Sequence, residues 1–289
     1  MSAVTPEVIA ELGEPIKGPS ALGSDRRRLF LLTWTLAVTD FKLKFFDSAL
    51  GYLWQIMQPL ALFGVLYTVF SLVLDVNGTE DYYPVCLLLG LVMFAFFSET
   101  TMGAIRSVGA REPLVRKIEF PRLAIPSAQV TMALMNLCLN MIPVYVFLLI
   151  AGGSPRWTWL EVPFILVLLA LFCLGFAMML SALWVRYRDV DPIWTVVLQG
   201  LFYASPIIYT ISLVQQKAGD EVAAWLLVNP FTALLQQARH AILGPTSESA
   251  ASVMGGTEYL LAPFAVLLFV LFLGGWIFNR MAPIMAEEL

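Results

Sequence analysis

Charged residues are scarce in this chain of 289 residues, at 13% of its composition. Soluble globular proteins carry about a quarter, whereas hydrophobic residues here reach 59%. The three cysteines all lie inside apolar runs, which excludes a secreted scaffold held together by disulfides. The composition also excludes a soluble enzyme and a disordered protein, and it predicts a protein built of membrane spans.

Residues that carry out chemistry are equally scarce. The only histidine is His240, and no P-loop sequence for holding ATP phosphates occurs. Asp189 and Asp191 have the Asp-x-Asp spacing of some glycosyltransferases, but their short loop between two spans favours a solvated charge pattern. We therefore expect no catalytic residue, no metal site and no cofactor on this chain.

Six stretches have about the 20 apolar residues that a transmembrane helix needs. They are residues 53–74, 84–105, 128–150, 162–185, 193–211 and 259–278. The segment between the second and third stretches holds five basic residues, each of which costs about 2.5–3.5 kcal/mol at the centre of a membrane helix. That segment is therefore a loop, and the predicted fold class is an all-α polytopic membrane protein with six transmembrane helices.

The distribution of basic residues predicts the orientation. If the six stretches span, 14 of the 17 Lys and Arg residues fall on one side of the membrane. Short loops rich in Lys and Arg stay in the cytoplasm. Both termini are therefore predicted to be cytoplasmic, with polar tails at residues 1–28 and 279–289 around a membrane domain at residues 53–278.

Glu99 is the only acidic residue clearly within a predicted span. Ionisable groups inside a membrane mark functional sites by default, but tilt of the helix could bring Glu99 to the interface. Structural and functional roles both stay open. The spans lack the relay of Asp, Glu and His that ion-coupled transport needs, which argues against secondary transport.

Residues 29–52 have helical periodicity without spanning hydrophobicity. The period predicts an amphipathic helix in the cytoplasmic membrane interface. A helix packed against the bundle is the alternative interpretation, and the two are compatible. Asp40 and Lys44 are spaced as an i,i+4 ion pair on its polar side. The residues assigned to this interfacial helix are Trp34, Phe41, Lys42, Lys44 and Phe45.

The loop between the fifth and sixth predicted spans is too long for a plain turn. Residues 222–228 and 231–243 are apolar helical stretches that are too short to span. Between them, Asn229 and Pro230 form the pair that commonly starts a helix, with Asn as the N-cap and Pro at the first helical position. We expect re-entrant or interfacial outer helices within residues 213–245, with Asn229 and Pro230 on an external rim.

Aromatic residues gather on two of the predicted spans. Packing or lipid contact would explain them, and so would a conduit lining over which sugar rings slide without strong binding. Both interpretations stay open. The candidates for the lining are Phe63, Tyr67, Phe70, Phe202, Tyr203 and Tyr209.

Several segments resemble ABC-2-type permeases of polysaccharide exporters. Residues 39–54, TDFKLKFFDSALGYLW, followed by Gln-Pro-Leu at 58–60, resemble the start of such permeases. Residues 114–126, LVRKIEFPRLAIP, are similar to the basic cytoplasmic loop of the family, and residues 185–191 to its second cytoplasmic loop. The Asn229-Pro230 pair matches the external motif, and the motif order is kept over residues 30 to 285.

The resemblance implies an assembly. Two copies of the chain would form a conduit driven by two copies of a separate ABC ATPase, which would carry the ATP and Mg. A coupling loop at residues 103–126 would contact that ATPase. The resemblance assigns the ATPase-facing role to Arg106, Arg111, Arg116, Lys117, Arg122, Arg188 and Asp189.

The predicted function is therefore the permease subunit of an ATP-driven exporter of a lipid-linked polysaccharide in the bacterial cytoplasmic membrane. The cargo classes of the family are O-antigens, teichoic acids, capsules and galactan precursors. The expected partners are a second copy, the ATPase, the glycan and membrane lipids, without nucleic acid. The alternatives are an ABC-2 drug or lipid exporter and a membrane-embedded glycan-modifying enzyme.

Overall fold

The computed structural model describes residues 26–44, 51, 53–73, 82–111 and 121–282, and the regular elements in these ranges are all helical. The predicted tails lie mostly outside them. The described α-helices are α1 (Arg26–Lys44), α2 (Leu53–Tyr67), α3 (Tyr83–Ser107), α4 (Ala124–Ile150), α5 (Glu161–Arg186), α6 (Val190–Ala204), α7 (Ile211–Ala218), α8 (Asp220–Leu226), α9 (Pro230–Leu243), α10 (Ala250–Met254) and α11 (Leu261–Met281).

Within the described residues, five helical segments are long and apolar enough to cross a membrane. They are Leu53–Ser71, Tyr83–Ser107, Ala124–Ile150, Trp157–Arg186 and Thr257–Met281. The first is α2 with part of the π-helical turn Thr68–Val73, and the last two are α5 and α11, each preceded by a 3₁₀ turn. The all-helical membrane architecture is thus confirmed, whereas the count of six spanning helices is not.

The predicted span at residues 193–211 is not one continuous helix. Its helix, α6, has 15 residues and ends at Ala204, so at 1.5 Å per residue it is about 22 Å long. Ser205 has an extended backbone, with φ −91° and ψ 145°, and Pro206 follows. A proline disfavours the helical conformation of the residue before it. The chain therefore turns where a uniform hydropathy pattern predicted a helix.

Helix α3 forms the centre of the bundle, because 72% of the residues in its most apolar stretch are buried. In the α2 span, only 6% of the corresponding stretch is buried. Helices α4 and α5 pack on α3, and α11 packs along α5. The α5–α11 contact is close because glycines meet. A Cβ on Gly175 would lie 2.9 Å from the backbone of Leu271, and a Cβ on Gly274 would collide with the carbonyl of Gly175. Small residues of this kind allow membrane helices to approach closely.

Helix α1 lies against α4, where Ala37 packs with Ala128 and Met132. Its apolar residues Phe30 and Trp34 are 68% and 52% exposed. The predicted interfacial helix is present as a helix at Arg26–Lys44. Phe30 and Trp34 therefore face away from the bundle, whereas Leu36 and Phe41 pack beside the Ala37 contact.

Other predicted members of the interfacial helix differ in their surroundings. Phe41 is half-buried beside the Ala37 contact and Lys42 is exposed. Phe45 lies outside the described residues.

Four short helices, α7 to α10, connect α6 to α11. Helices α7, α8 and α10 share a small apolar core, which is built from Ile211, Ala223, Leu227, Ala250 and Val253. The predicted helix start at Asn229 is confirmed, because its side chain accepts a hydrogen bond from the backbone N–H of Phe231 at 3.0 Å and Pro230 occupies the first helical position. The α7 helix was not predicted.

Candidate functional site

Among the described residues, three ion pairs lie at the end of the bundle where α3 ends. We call this region the ion-paired end. Each pair joins two separate elements of the chain, so charge is used here to hold helices together. The pairs are Lys44 with Glu99, Arg106 with Asp191, and Arg111 with Asp40.

Glu99 is the centre of a cluster drawn from four helices. Lys44 Nζ donates to Glu99 Oε1 at 2.6 Å, and Asn136 Nδ2 donates to the same oxygen at 2.6 Å. Lys44 also donates to Gln55 Oε1 at 3.1 Å. Because Glu99 has both a cation and an amide donor, its charge is compensated where α1, α2, α3 and α4 meet.

The other two pairs join the C-terminal end of α3 and the turn after it to α6 and α1. Arg106, in the last turn of α3, donates through Nε to Asp191 Oδ2 at 2.5 Å in the first turn of α6. Arg111, just after α3, pairs with Asp40 of α1, which also accepts from Gln129 Nε2 at 3.4 Å. Asp40 and Lys44, predicted to pair along α1, thus each have a partner on the bundle.

The remaining residues assigned to ATPase coupling have varied surroundings. Arg188 and Asp189 are exposed in the turn between α5 and α6. The Arg188 guanidinium lies 3.9 Å from the ring centroid of Trp184, and a Cβ on Gly109 would collide with that same ring. Trp184 therefore bridges the turns after α3 and α5.

Arg122 is 3% exposed in the turn before α4, and burial lowers its pKa. The guanidinium nevertheless stays charged, because the ordinary pKa of arginine is far above neutral pH. Arg116 and Lys117 lie outside the described residues.

The aromatic candidates separate into two groups. In the first group, Phe63 is 7% exposed. It stacks on Tyr67 with ring centroids 5.6 Å apart and meets Phe147 edge-on at 5.4 Å. Phe70 is half-buried in the π-helical turn. Phe63 thus packs between helices α2 and α4 within one chain.

The second group lies on α6. Phe202 meets Phe94 of α3 edge-on at 5.2 Å, and Tyr203 beside it is 69% exposed. Both border an open groove of about 330 Å³, together with polar side chains that include Ser98 and Gln199. Tyr209 lies apart from this groove's lining, and its hydroxyl donates to the carbonyls of Tyr203 and Ala204 at 3.3 and 3.2 Å.

The opposite end of the bundle contains the turn after α6 and helices α7 to α10, and we call it the short-helix end. Arg239 of α9 is 2% exposed. Its Nη2 donates to the carbonyls of Cys86 and Ile207, both at 3.3 Å. The hydroxyl of Tyr83 donates to the Ile208 carbonyl at 2.6 Å. Backbone groups in the turn that follows α6 are thereby satisfied without water, as an apolar environment requires.

Three of these contacts could not be predicted from residue patterns. Asp191 was interpreted as a solvated loop charge, Trp184 fell within a predicted span, and Arg239 fell within a short helix that was expected to be re-entrant or interfacial. An available signal for Arg239 was its position amid apolar residues at 238 and 241–243, because an isolated arginine there must find partners when the helix is buried.

Comparison with known proteins adds to this geometry. The family model described as ABC-2 type transporter matches residues 32–243, which is most of the chain. The chain belongs to the ABC-2 type transporter family. Members of this family are the membrane subunits of transporters, so the helical bundle, the ion-paired end and the groove on α6 belong to a transporter.

The relatives align with most of this chain. The O-antigen export system permease protein RfbA of Klebsiella pneumoniae is 26% identical over 263 residues, which is 90% of this chain and 96% of the relative. RfbA of Myxococcus xanthus is 26% identical over 201 residues, or 70% of this chain and 76% of that protein. The polysialic acid transport protein KpsM of Escherichia coli is 24% identical over 213 residues, or 72% and 80%.

Proposed function

We propose that this chain is the permease subunit of an ABC exporter that moves a lipid-linked polysaccharide out of the bacterial cytoplasm. The observation that carries the proposal is that this chain aligns with 96% of the length of an O-antigen export permease. The same alignment covers 90% of this chain. The cargo class, the ATPase and the assembly are parts of this proposal.

The surface of α6 supports a conduit built from two copies. This helix is about 22 Å long by its rise, shorter than the roughly 30 Å hydrocarbon core, and a backbone turn follows it. Irregular backbone at membrane depth survives where protein or a water-filled cavity shelters it. Ile193, Val196 and Tyr203 on the outer face of α6 are 62%, 67% and 69% exposed. In our proposal, this face looks into the space between the copies.

The groove beside α6 has the chemistry that a sliding glycan needs. Aromatic rings of Phe202 and Tyr203 offer flat faces to sugar C–H groups, and the side chains of Gln199 and Ser98 offer hydrogen bonds. Among the residues that the structure describes, none of those lining the groove is charged. Contacts of this kind are individually weak, so they permit movement of a polymer without trapping it.

The ion-paired end supports a cytoplasmic contact with the ATPase. Arg106, Arg111 and Arg122 lie on or beside the turns at the end of α3 and the start of α4, and Arg188 projects from the neighbouring turn. In the proposal both termini are cytoplasmic, two ATPase copies contact this end, and ATP and Mg stay on those subunits. In the proposal, these ion pairs separate and re-form as the ATPase moves the helices.

Reconstitution tests the function. The chain and an ABC ATPase from the same gene neighbourhood are inserted into liposomes, and movement of a lipid-linked glycan to the far leaflet is followed by lectin binding. We expect ATP-dependent movement that a Walker-lysine variant of the ATPase abolishes. ATP turnover that ignores lipid-linked glycans but rises with small amphiphiles would contradict the cargo class and favour a drug or lipid exporter.

A further inference from the structure

A polar cavity of about 170 Å³ lies at the short-helix end, between α7, α9 and the 3₁₀ turn Gly244–Thr246. Its floor is deeply buried, since Gln236 and Arg239 are 3% and 2% exposed. Its mouth is open, because Thr246 and Glu248 are exposed. The cavity thus has a built polar interior with access from one side.

The side-chain oxygen of Gln236 is a buried hydrogen-bond acceptor to which no described residue donates. Gln236 Nε2 donates to the Glu248 carbonyl at 2.7 Å, and this bond determines which way the amide faces. Its Oε1 is buried with no hydrogen-bond partner among the described residues. Buried polar atoms are rarely left in this way. Because Gln236 lines the cavity, a molecule inside the cavity is the available source of the missing donor.

The rest of the wall mixes donors and acceptors. Arg239 presents a guanidinium, and the hydroxyl oxygens of Thr210 and Ser212 lie 2.9 Å apart on the α7 side. The Glu248 carboxylate accepts from Gln215 Nε2 at 3.4 Å near the mouth. Hydroxyl groups can both donate and accept, so a ligand that carries several hydroxyls can hydrogen-bond to donors and acceptors of this wall at the same time.

An anion fits this wall less well than a neutral polyol. A fully ionised anion would accept from Arg239, but it has no proton for Gln236 Oε1 and would approach the carboxylate of Glu248. A sugar ring donates to Gln236 and to Glu248, and it accepts from Arg239. The size of the cavity suits one sugar ring rather than an oligosaccharide.

We propose that this cavity binds a single neutral sugar unit through its hydroxyl groups, at the end of the bundle opposite the ATPase contact. The identity of the ligand rests on the proposed function as a glycan exporter. The cavity is separate from the groove on α6, with which it shares no lining residue. It therefore adds a binding site where the glycan leaves the conduit.

Thiol protection tests the proposal on the full chain in nanodiscs. Thr246→Cys is introduced at the mouth together with Cys138→Ala, since Cys138 is an exposed natural cysteine. Labelling by a maleimide is read position by position with peptide mass spectrometry. The probes are the delipidated glycan, released by mild acid from the polymer used in the export assay, and sodium sulfate as the anion.

We expect the glycan to slow labelling at position 246 several-fold, and sulfate to have no effect. Gln236→Leu should remove the protection. Gln237→Leu is the matched control, because the Gln237 side chain instead contacts Glu161 and the backbone of Ala250, outside the cavity. If Gln236→Leu fails to fold, Ser212→Ala provides the second variant and should weaken the protection.

Three results would overturn the sugar site. They are protection by sulfate in place of glycan, no protection by either, and equal loss of protection in Gln236→Leu and Gln237→Leu. Export is measured on the same preparation in liposomes. Glycan export without protection of the cysteine at position 246 would contradict the sugar site alone. Protection without any glycan export would contradict the proposed function and still support the sugar site.

Discussion

At the ion-paired end, Asp40, Glu99 and Asp191 each meet a basic side chain from another element, whereas at the short-helix end the buried Arg239 donates to backbone carbonyls. The first arrangement connects helices by side chains that can separate and re-form. The second satisfies the backbone of a turn and has no such freedom. The two ends thus differ in how they are held together, and the proposed function assigns movement with the ATPase to the ion-paired end.

The largest effect is expected from reversing charge in the coupling loop. Arg116→Glu together with Lys117→Glu should lower export roughly tenfold or more, because like charges placed together across an interface cost several kcal/mol. ATP turnover should continue without export, as measured in proteoliposomes. Lys217→Glu is the control, since Lys217 is exposed at the short-helix end and should leave coupling intact. Normal coupling of ATP turnover to glycan export in the double variant would contradict an ATPase contact at this loop.

The next effect tests the short-helix end. Arg239→Met removes the donor to the Cys86 and Ile207 carbonyls, which stay buried, and a buried group left without a partner costs about 1–3 kcal/mol. We expect a clear fall in the unfolding temperature of the detergent-solubilised chain. Lys217→Met at the same end should unfold like the unaltered chain. Equal unfolding temperatures for the two variants would contradict the role of Arg239.

A smaller effect tests the Glu99 cluster. Glu99→Gln and Lys44→Gln should each destabilise the chain, and their double-mutant cycle should give a coupling of about 1 kcal/mol or less, since the two side chains are 23% and 36% exposed. Unfolding midpoints of the four chains provide the measurement. Strictly additive effects would mean that the Lys44–Glu99 pair does not help to hold α1 on the bundle.

The smallest effect on stability is expected at Arg106. Its side chain is 73% exposed, so Arg106→Gln should change the free energy of unfolding by less than about 0.5 kcal/mol. Export should nevertheless use more ATP per glycan, because the link between α3 and Asp191 of α6 is lost. A large loss of stability would show that the Arg106–Asp191 pair stabilises the fold. That result would contradict the difference between the ion-paired end and the short-helix end.

Part of this architecture could be predicted from the sequence. Long apolar runs identify the helices, and the Asn229-Pro230 pair locates the start of α9 because capping depends on adjacent residues. The end of α6 at Ala204 does not show in the apolar run of residues 193–211, although Pro206 lies within that run. Hydropathy averages over a window, whereas Pro206 acts on the single residue before it.

The candidate site was less predictable because its contacts are distant in sequence. The i,i+4 spacing of Asp40 and Lys44 is visible along the chain, but their partners Arg111 and Glu99 are 71 and 55 residues away. Only the packing of α1 on the bundle brings them together. Similarly, aromatic spacing on the first and fifth predicted spans could not distinguish packed Phe63 from exposed Tyr203, since both lie on apolar helices.

The central claim is that the exposed face of α6 lines the conduit, and matched cysteines test it most directly. Tyr203→Cys on α6 and Phe269→Cys on α11 replace side chains that are 69% and 62% exposed in the chain, each in a Cys138→Ala background. A membrane-impermeant thiol reagent is applied during ATP-driven glycan export. The account predicts that only the α6 position is labelled and that its labelling blocks export. Equal labelling at the two positions, or export that continues after Tyr203→Cys is labelled, would contradict it.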